Sequence, residues 1–289
     1  MKYILKAPAK INLAIDVLSK RPDGYHEVNL IMQSISLCDI IELKTINENK
    51  IIVATSSESV PNGNKNIVYK AAELIKDKYN IKTGVEIEIE KNIPVAAGLG
   101  GGSTDAAAVI KLLNKAWKLG MPEKEILNIG GMIGADVPFC IVGGTAFAEG
   151  LGEKLTPLNP IPDCFILLAK PDVNISTKKV YEGLDINKID KRPDISGIID
   201  AIDRGQLEKL AAKLCNVLEG VTIDMCPLVQ TIKKSFIEYG AIGSSMSGSG
   251  PTVFGIFDNQ NKAYYAYDAI KSVVNEVLLV KPFNNHEID

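Results

Sequence analysis

The chain has 289 residues, which sets an expectation of about two domains or one large one, and a chain of this length buries roughly 75% of the surface its unfolded form exposes. Hydrophobic residues make up 46% and charged residues 23%, globular values that exclude disorder and collagen-like repeats. A formal net charge of −3 leaves no whole-molecule basic field for nucleic acid, and no apolar run approaches the ~20 residues of a membrane span.

Ala7-Pro8-Ala9 could pass for a cleavage site, but only Tyr3-Ile4-Leu5 lies between Lys2 and Lys6, far too short for the apolar core of a signal peptide. Five cysteines, an odd number with no C-x-x-C spacing, read as buried small hydrophobes in a reduced compartment. The expectation is a cytoplasmic protein. With only His26 and His286 available, a histidine-based zinc site is not expected.

From Lys10 the residues alternate, with Ile11, Leu13, Ile15 and Val17 on one face and Lys10, Asn12, Ala14 and Asp16 on the other. That is the pattern of a half-buried strand. Arg21-Pro22-Asp23-Gly24 is a turn signal, so a hairpin returning through Val28 to Leu43 is expected. Asn66 to Lys78 reads as a helix, and Val85 to Glu90 as a strand with a wet glutamate face. After it comes Pro94-Val95-Ala96-Ala97-Gly98-Leu99-Gly100-Gly101-Gly102-Ser103-Thr104-Asp105, followed by an apolar stripe at Ala106, Val109, Ile110, Leu113 and Trp117. The glycines therefore lie between a strand and a helix N-terminus. Asp105 reads as a charge that favours that terminus.

A helix from Pro122 to Ile133 and a strand from Phe139 to Val142 are expected next. Pro157, Pro160 and Pro162 mark a junction, which divides the chain into residues 1–159 and 160–289. Beyond it, Phe165 to Ala169 and Val253 to Phe257 read as strands, and Ser196 to Ala212 and Pro227 to Tyr239 as helical. The order of elements indicates α+β in both halves.

Consecutive glycines expose backbone N–H groups at close range, and a helix N-terminus aims them, so the loop is a candidate phosphate site. Ser103 and Thr104 could cap the helix or touch phosphate oxygens. The loop is neither a G-x-x-x-x-G-K-[ST] nor a G-x-G-x-x-G, which disfavours a P-loop and a dinucleotide fold.

Pro94-x-x-x-Gly98-Leu99-Gly100 with small residues following resembles the phosphate-loop motif of the GHMP kinases (galactokinase, homoserine kinase, mevalonate kinase and relatives). Ala7-Pro8-Ala9-Lys10-Ile11-Asn12-Leu13 resembles that family's first motif and Met246-Ser247-Gly248-Ser249-Gly250-Pro251-Thr252 its third. Arg21 to Glu27 and Gly134-Ala135-Asp136-Val137-Pro138-Phe139 are similar to one branch, whose members use ATP to phosphorylate the 2-hydroxyl of a cytidine-diphosphate-linked methylerythritol in non-mevalonate isoprenoid synthesis. Gly101-Gly102 stands where the wider family usually has Ser-Ser, a departure that also resembles the branch. It leaves the family's Mg²⁺-binding serine either at Ser103 or absent.

The resemblance implies a two-domain GHMP kinase fold: an N-terminal nucleotide domain like ribosomal protein S5 domain 2, a ferredoxin-like C-terminal domain, and the active site in the cleft between. ATP and Mg²⁺ would be the cofactors and a small molecule carrying cytidine diphosphate the partner. The protein would be a monomer or weak homodimer, with no nucleic acid or membrane involved. Within that resemblance Asp136 is the candidate base and Lys10 the cation that keeps it ionised and steadies developing charge. Pro94 through Thr104 would hold the nucleotide. Asn66 either reaches the nucleotide or simply caps a helix. Asn12 would position the reacting hydroxyl, and Tyr25 and His26 would offer a stacking face and hydrogen bonds to cytosine. Thr177 and Tyr181, four apart on one helical face, would close the substrate side, with Tyr181 either a second stacking wall or a core aromatic. Ser247 and Gly248 would brace the phosphate loop and the substrate's phosphates, or form a purely structural turn. Other readings are a GHMP kinase for another alcohol, a silent ligand sensor on the same fold, or an unrelated module whose glycines serve packing.

Overall fold

Arg21-Pro22-Asp23-Gly24 turns the chain back on itself in the computed structural model, which describes residues 1–284; His286 lies outside them. Gly24 adopts a φ of +88° and its N–H donates to the Arg21 carbonyl, while Asp23 accepts from the Tyr25 N–H at 3.1 Å. The turn joins two long antiparallel strands, β1 (Lys2–Lys20) and β2 (His26–Ile46). Around them gather β3 (Ile51–Thr55), β4 (Gly84–Glu90), β5 (Thr145–Gly150) and β6 (Lys154–Pro157), and the sheet runs β3-β4-β2-β1, with β5 also on β2 and β6 on β5. The glutamates of β4 face water as expected; Glu88 and Glu90 are exposed.

The strand carrying Lys10 departs from a simple alternation. Its pairing with β2 slips between Pro8 and Lys10 and again between Asn12 and Ala14. The second, a one-residue shift, flips the faces of the residues beyond it. Ala9, Ile11 and Leu13 therefore pack in one core cluster, while Ile15 and Val17, expected on the same face as Ile11 and Leu13, pack in the other. Both faces are buried from Ala9 to Val17, so the half-buried strand of the sequence reading is corrected to a central one. Between the two slips, Lys10 and Asn12 point together into a cleft.

Against this sheet lie α1 (Ile67–Lys78), α2 (Gly101–Ala116), α3 (Glu123–Ile133) and α4 (Val137–Val142). Helix α2 is buried on almost all sides, from Thr104 to Ile110 and at Leu112 and Leu113. It is thus a core helix rather than one with a single apolar stripe. The expected strand from Phe139 to Val142 is a helix instead. Pro138, with its φ preset, sits in the first turn of α4 behind Asp136 at the N-cap, which favours helix initiation over a ladder that proline cannot join.

The second half starts at β7 (Phe165–Lys170) and continues through α5 (Thr177–Gly183), α6 (Ile195–Asp203), α7 (Leu207–Ala212), β8 (Cys215–Asn216), α8 (Glu219–Met225), α9 (Leu228–Glu238), β9 (Gly243–Met246), β10 (Val253–Phe257), α10 (Gln260–Ile270) and β11 (Glu276–Val280). Its antiparallel sheet has the order β11-β7-β10-β9. With helices between β7 and β9 and α10 between β10 and β11, this is a β-α-β-β-α-β ferredoxin-like arrangement. The proline-marked stretch runs from β6 of one sheet to β7 of the other. The halves are also laced together: β8 pairs in parallel with β1, and Ile35 forms a bridge with Pro282. All five cysteines are free thiols, and among the described residues no helix is long and apolar enough to cross a membrane.

Candidate active site

Between the two halves lies a cleft of about 1130 Å³, lined from β1, the hairpin tip, the glycine loop, the Ala135-Asp136 turn, α5 and the Gly248-Ser249 turn. At one end the chain leaves β4 and crosses to α2. Pro94 through Ser103 all line the cleft. Gly100 is the N-cap, at φ +72°, so Gly101, Gly102 and Ser103 form the first helical turn. The N–H groups of a first turn have no partner within the helix and can be offered to an anion. Thr104 is one residue too far. Its hydroxyl donates to the Pro8 carbonyl at 2.8 Å, which ties α2 to β1 and removes Thr104 from the phosphate site. Neither Ser103 nor Thr104 caps the helix, since the cap is glycine.

The loop's shape is set by the turn after β9. Ser247 is fully buried and its hydroxyl donates to the Gly98 carbonyl at 2.9 Å. Gly98 has a φ of +75°, and a Cβ there would lie 2.2 Å from the Ser247 carbonyl oxygen. Ser247 thus braces the loop from behind, whereas Gly248 faces the cleft. Asn216, which sequence reading did not single out, holds that turn: its amide donates to the carbonyls of Met246 and Gly248, both at 2.8 Å. Its only advance signal was a lone asparagine beside apolar residues.

Lys10 is 3% exposed. Its backbone N–H donates to Leu99, its stem lies against Gly100, and its ammonium donates to Asn12 Oδ1 at 2.8 Å. The same ammonium is 3.3 Å from Asp136 Oδ2. Asn12 Oδ1 also accepts the Gly248 N–H at 3.0 Å. Asn12 therefore links the first and third motifs, and its amide nitrogen is the part left to meet a ligand. Asp136 stands at the N-cap of α4 yet makes no capping hydrogen bond. Its carboxylate is free to face Lys10 and the cleft. The Cys140 thiol nearby is pushed up to about 12 by burial and secondarily by Asp136, and so is not a nucleophile.

At the other end Tyr25 projects from the hairpin tip, 64% exposed. The His26 and Tyr181 rings stand 5.1 Å apart at 34°. Burial, then the Lys20 charge, lowers the His26 pKa, which favours the neutral imidazole with its one donor and one acceptor nitrogen. Burial first and the Asp136 charge second push the Tyr181 phenol up to about 12. Thr177 and Ser249 share a hydroxyl hydrogen bond of 2.8 Å across the rim. Tyr181 lines the cleft beside His26 and also packs against the core, so both of its readings stand. Asn66 caps α1, accepting from Val68 at 2.9 Å and donating to the Pro61 carbonyl, and it also lines the cleft.

One charged cluster was missed. Lys91, just before the loop, bridges Asp39 on β2 and Asp105 on α2, the latter at 2.7 Å, with all three side chains at most 5% exposed. Asp39 also accepts the N–H groups of Asn92 and Ile93. Asp105 is thus an interior ion-pair partner rather than a simple helix-terminus charge. Burial pushes it up to about 7 in spite of Lys91. Asp39, a lone charge inside an apolar run, was the legible signal.

Two family models match the chain, the GHMP kinases N terminal domain over residues 66–144 and the GHMP kinases C terminal over residues 198–276, together more than half of it. The chain belongs to the GHMP kinases. Among curated relatives, a 4-diphosphocytidyl-2-C-methyl-D-erythritol kinase of Caldicellulosiruptor bescii is 54% identical over 95% of this chain and 96% of that one. A Bacillus subtilis protein of the same name is 46% identical over 97% of each. A crystal structure of 4-(cytidine 5'-diphospho)-2C-methyl-D-erythritol kinase superposes with a TM-score of 0.83 at 29% identity, covering 98% of this chain and all of the other. Homoserine kinase from Cytophaga hutchinsonii shares the fold, with a TM-score of 0.78 at 18% identity over 99% of this chain and 96% of that one. The two-domain GHMP kinase fold expected from the motifs is the fold of this chain.

Proposed function

We propose that the protein transfers the γ-phosphoryl group of ATP to the 2-hydroxyl of 4-diphosphocytidyl-2-C-methyl-D-erythritol. The observation that carries this reading is the Lys10–Asp136 pair at the middle of one cleft. Lys10 lies against Gly100 of the phosphate loop, and Asp136 lines the same cleft as Tyr181 of the ring pair.

In this reading the first-turn N–H groups of α2 hold the nucleotide phosphates, and the glycine loop lets them approach closely. Asn12 Nδ2 orients the acceptor. The 2-hydroxyl oxygen attacks the γ-phosphorus, its proton passes to Asp136, and the bond to the β,γ-bridging oxygen breaks to release ADP. Lys10 lies 3.3 Å from the Asp136 carboxylate, where negative charge develops. Tyr25, His26 and Tyr181 receive the cytosine ring, by stacking and by the two nitrogens of a neutral imidazole.

Among the described residues no cluster of three or more His, Cys, Asp or Glu side chains forms a metal cage. Mg²⁺ keeps several waters and takes substrate phosphates with only one or two protein oxygens, and the cleft offers the Ser103 hydroxyl and the Asp136 carboxylate on that scale. When bound it would neutralise phosphate charge. Residues 1–159 would hold the nucleotide and residues 160–289 complete the acceptor side, in a cytoplasmic monomer or weak homodimer.

The test is ADP release with Mg-ATP and four acceptors: 4-diphosphocytidyl-2-C-methylerythritol, methylerythritol phosphate, homoserine and mevalonate. Release with the cytidylylated acceptor alone supports the reading. Release with homoserine or mevalonate would keep the phosphoryl-transfer centre and discard the cytosine pocket, and ATP binding without any release would favour a sensor.

A further inference from the structure

The walls at the far end of the cleft come from opposite halves of the chain. His26 stands on the β1–β2 hairpin and Tyr181 on α5. Helix α5 has only 7 residues, too few to hold a position by itself. Its N-terminal end is fixed by the Thr177–Ser249 hydroxyl pair, and at its C-terminal end Gly183 packs so closely that a Cβ would lie 2.8 Å from Val221 Cγ1.

The segment after α5 is fixed by Arg192. Its guanidinium donates to Asp16 Oδ1 at 2.6 Å, to the Val17 carbonyl at 3.0 Å and to the Ile186 carbonyl at 3.4 Å. The Asp16 side chain is 9% exposed, on the last stretch of β1 before the hairpin tip, where Val17 pairs with Val28 and Lys20 with His26. One planar cation therefore joins the strand leading to His26 with the segment following Tyr181. A rigid guanidinium with several acceptors fixes direction as well as distance, and a buried carboxylate is costly without its cation.

We infer that the Asp16–Arg192 pair sets the contact distance between the His26 and Tyr181 rings, which makes Arg192 a positioning residue for the base-binding end of the cleft. Its kinetic consequence rests on the cytosine reading of that end. The geometric claim does not.

The experiment uses the full chain and reads the His26 ring by NMR. Only two histidines are present, so a His26→Gln variant assigns the His26 Cε1–H resonance. Tyr181→Leu then gives its position without the neighbouring ring, at alkaline pH where the imidazole is neutral. Arg192→Ala is expected to move the resonance toward its Tyr181→Leu position, with Arg192→Lys falling between. The KM for the cytidylylated acceptor should rise about 10-fold, with a much smaller change in kcat and none in the KM for ATP. That rise should disappear in a Tyr181→Leu background, which a merely structural role would not produce. If Arg192→Ala fails to fold, Arg192→Lys and Asp16→Asn carry the same measurement. An unmoved His26 resonance in every folded variant overturns the inference. A wild-type protein inactive on the cytidylylated acceptor, but with the resonance shift present, would overturn the substrate reading and leave the positioning claim standing.

Discussion

Among the described residues Asp136 has no structural work that would explain its carboxylate: it caps nothing, and the cation beside it is Lys10 at 3.3 Å. Asp136→Asn keeps the shape and removes the proton acceptor. Turnover is expected to fall about 10²–10⁴-fold, with ATP affinity largely kept, as steady-state kinetics and nucleotide titration would show; near-normal turnover removes it as the base. Asp105 makes a different kind of prediction, because burial raises it from an ordinary 3.8 to about 7. A group raised in the folded state contributes its stability fully below the unfolded pKa, and that contribution fades as pH rises through the folded value. Relative to Asp105→Asn, the wild-type protein should therefore lose stability between about pH 4 and pH 7. Parallel urea midpoints across that range would contradict the assignment.

At the scale of elements, the active centre is two loops pressed together, backbone to backbone. The glycine loop cannot move away from the Ser247-Gly248 turn without breaking the Ser247–Gly98 hydrogen bond. Gly98→Ala should cost about 2–5 kcal/mol, from left-handed strain and overpacking together, and should raise the KM for ATP. Ser247→Ala should cost only about 1 kcal/mol. Equal, small losses in denaturant melts would mean the loops do not depend on their close approach. Much of this scale was legible from the chain. The β4 alternation, the turn at Asp23-Gly24 and the glycines before α2 are local signals, each with a local cause. What stayed hidden was non-local. A one-residue register slip in β1 between Asn12 and Ala14 splits Ile11 and Leu13 from Ile15 and Val17, and nothing in an alternating sequence marks where a ladder slips. The short apolar run after Pro138 suits a strand or a buried helix equally by periodicity. The partners of Lys91, Asn216 and Arg192 lie far away in sequence, so their roles appear only once the fold brings them together.

For the whole molecule, the function depends on the halves meeting. Lys10 and Asp136 come from the first half, Tyr181, Gly248 and Ser249 from the second, and β8 stitches the second half onto β1 beside them. The cleft joins an anion site of free helix N–H groups to a pocket walled by rings, with a lysine–carboxylate pair between. The proposed reaction puts a phosphoryl group on the 2-hydroxyl of the cytidylylated acceptor. That hydroxyl is on a carbon that also bears the methyl group and no hydrogen. The ³¹P spectrum of the product, recorded without proton decoupling, tests the claim directly. The expected result is a new phosphomonoester singlet beside the retained diphosphate signals, absent with Asp136→Asn. A proton-coupled multiplet, which marks a primary or secondary hydroxyl, or no new signal at all, would contradict it.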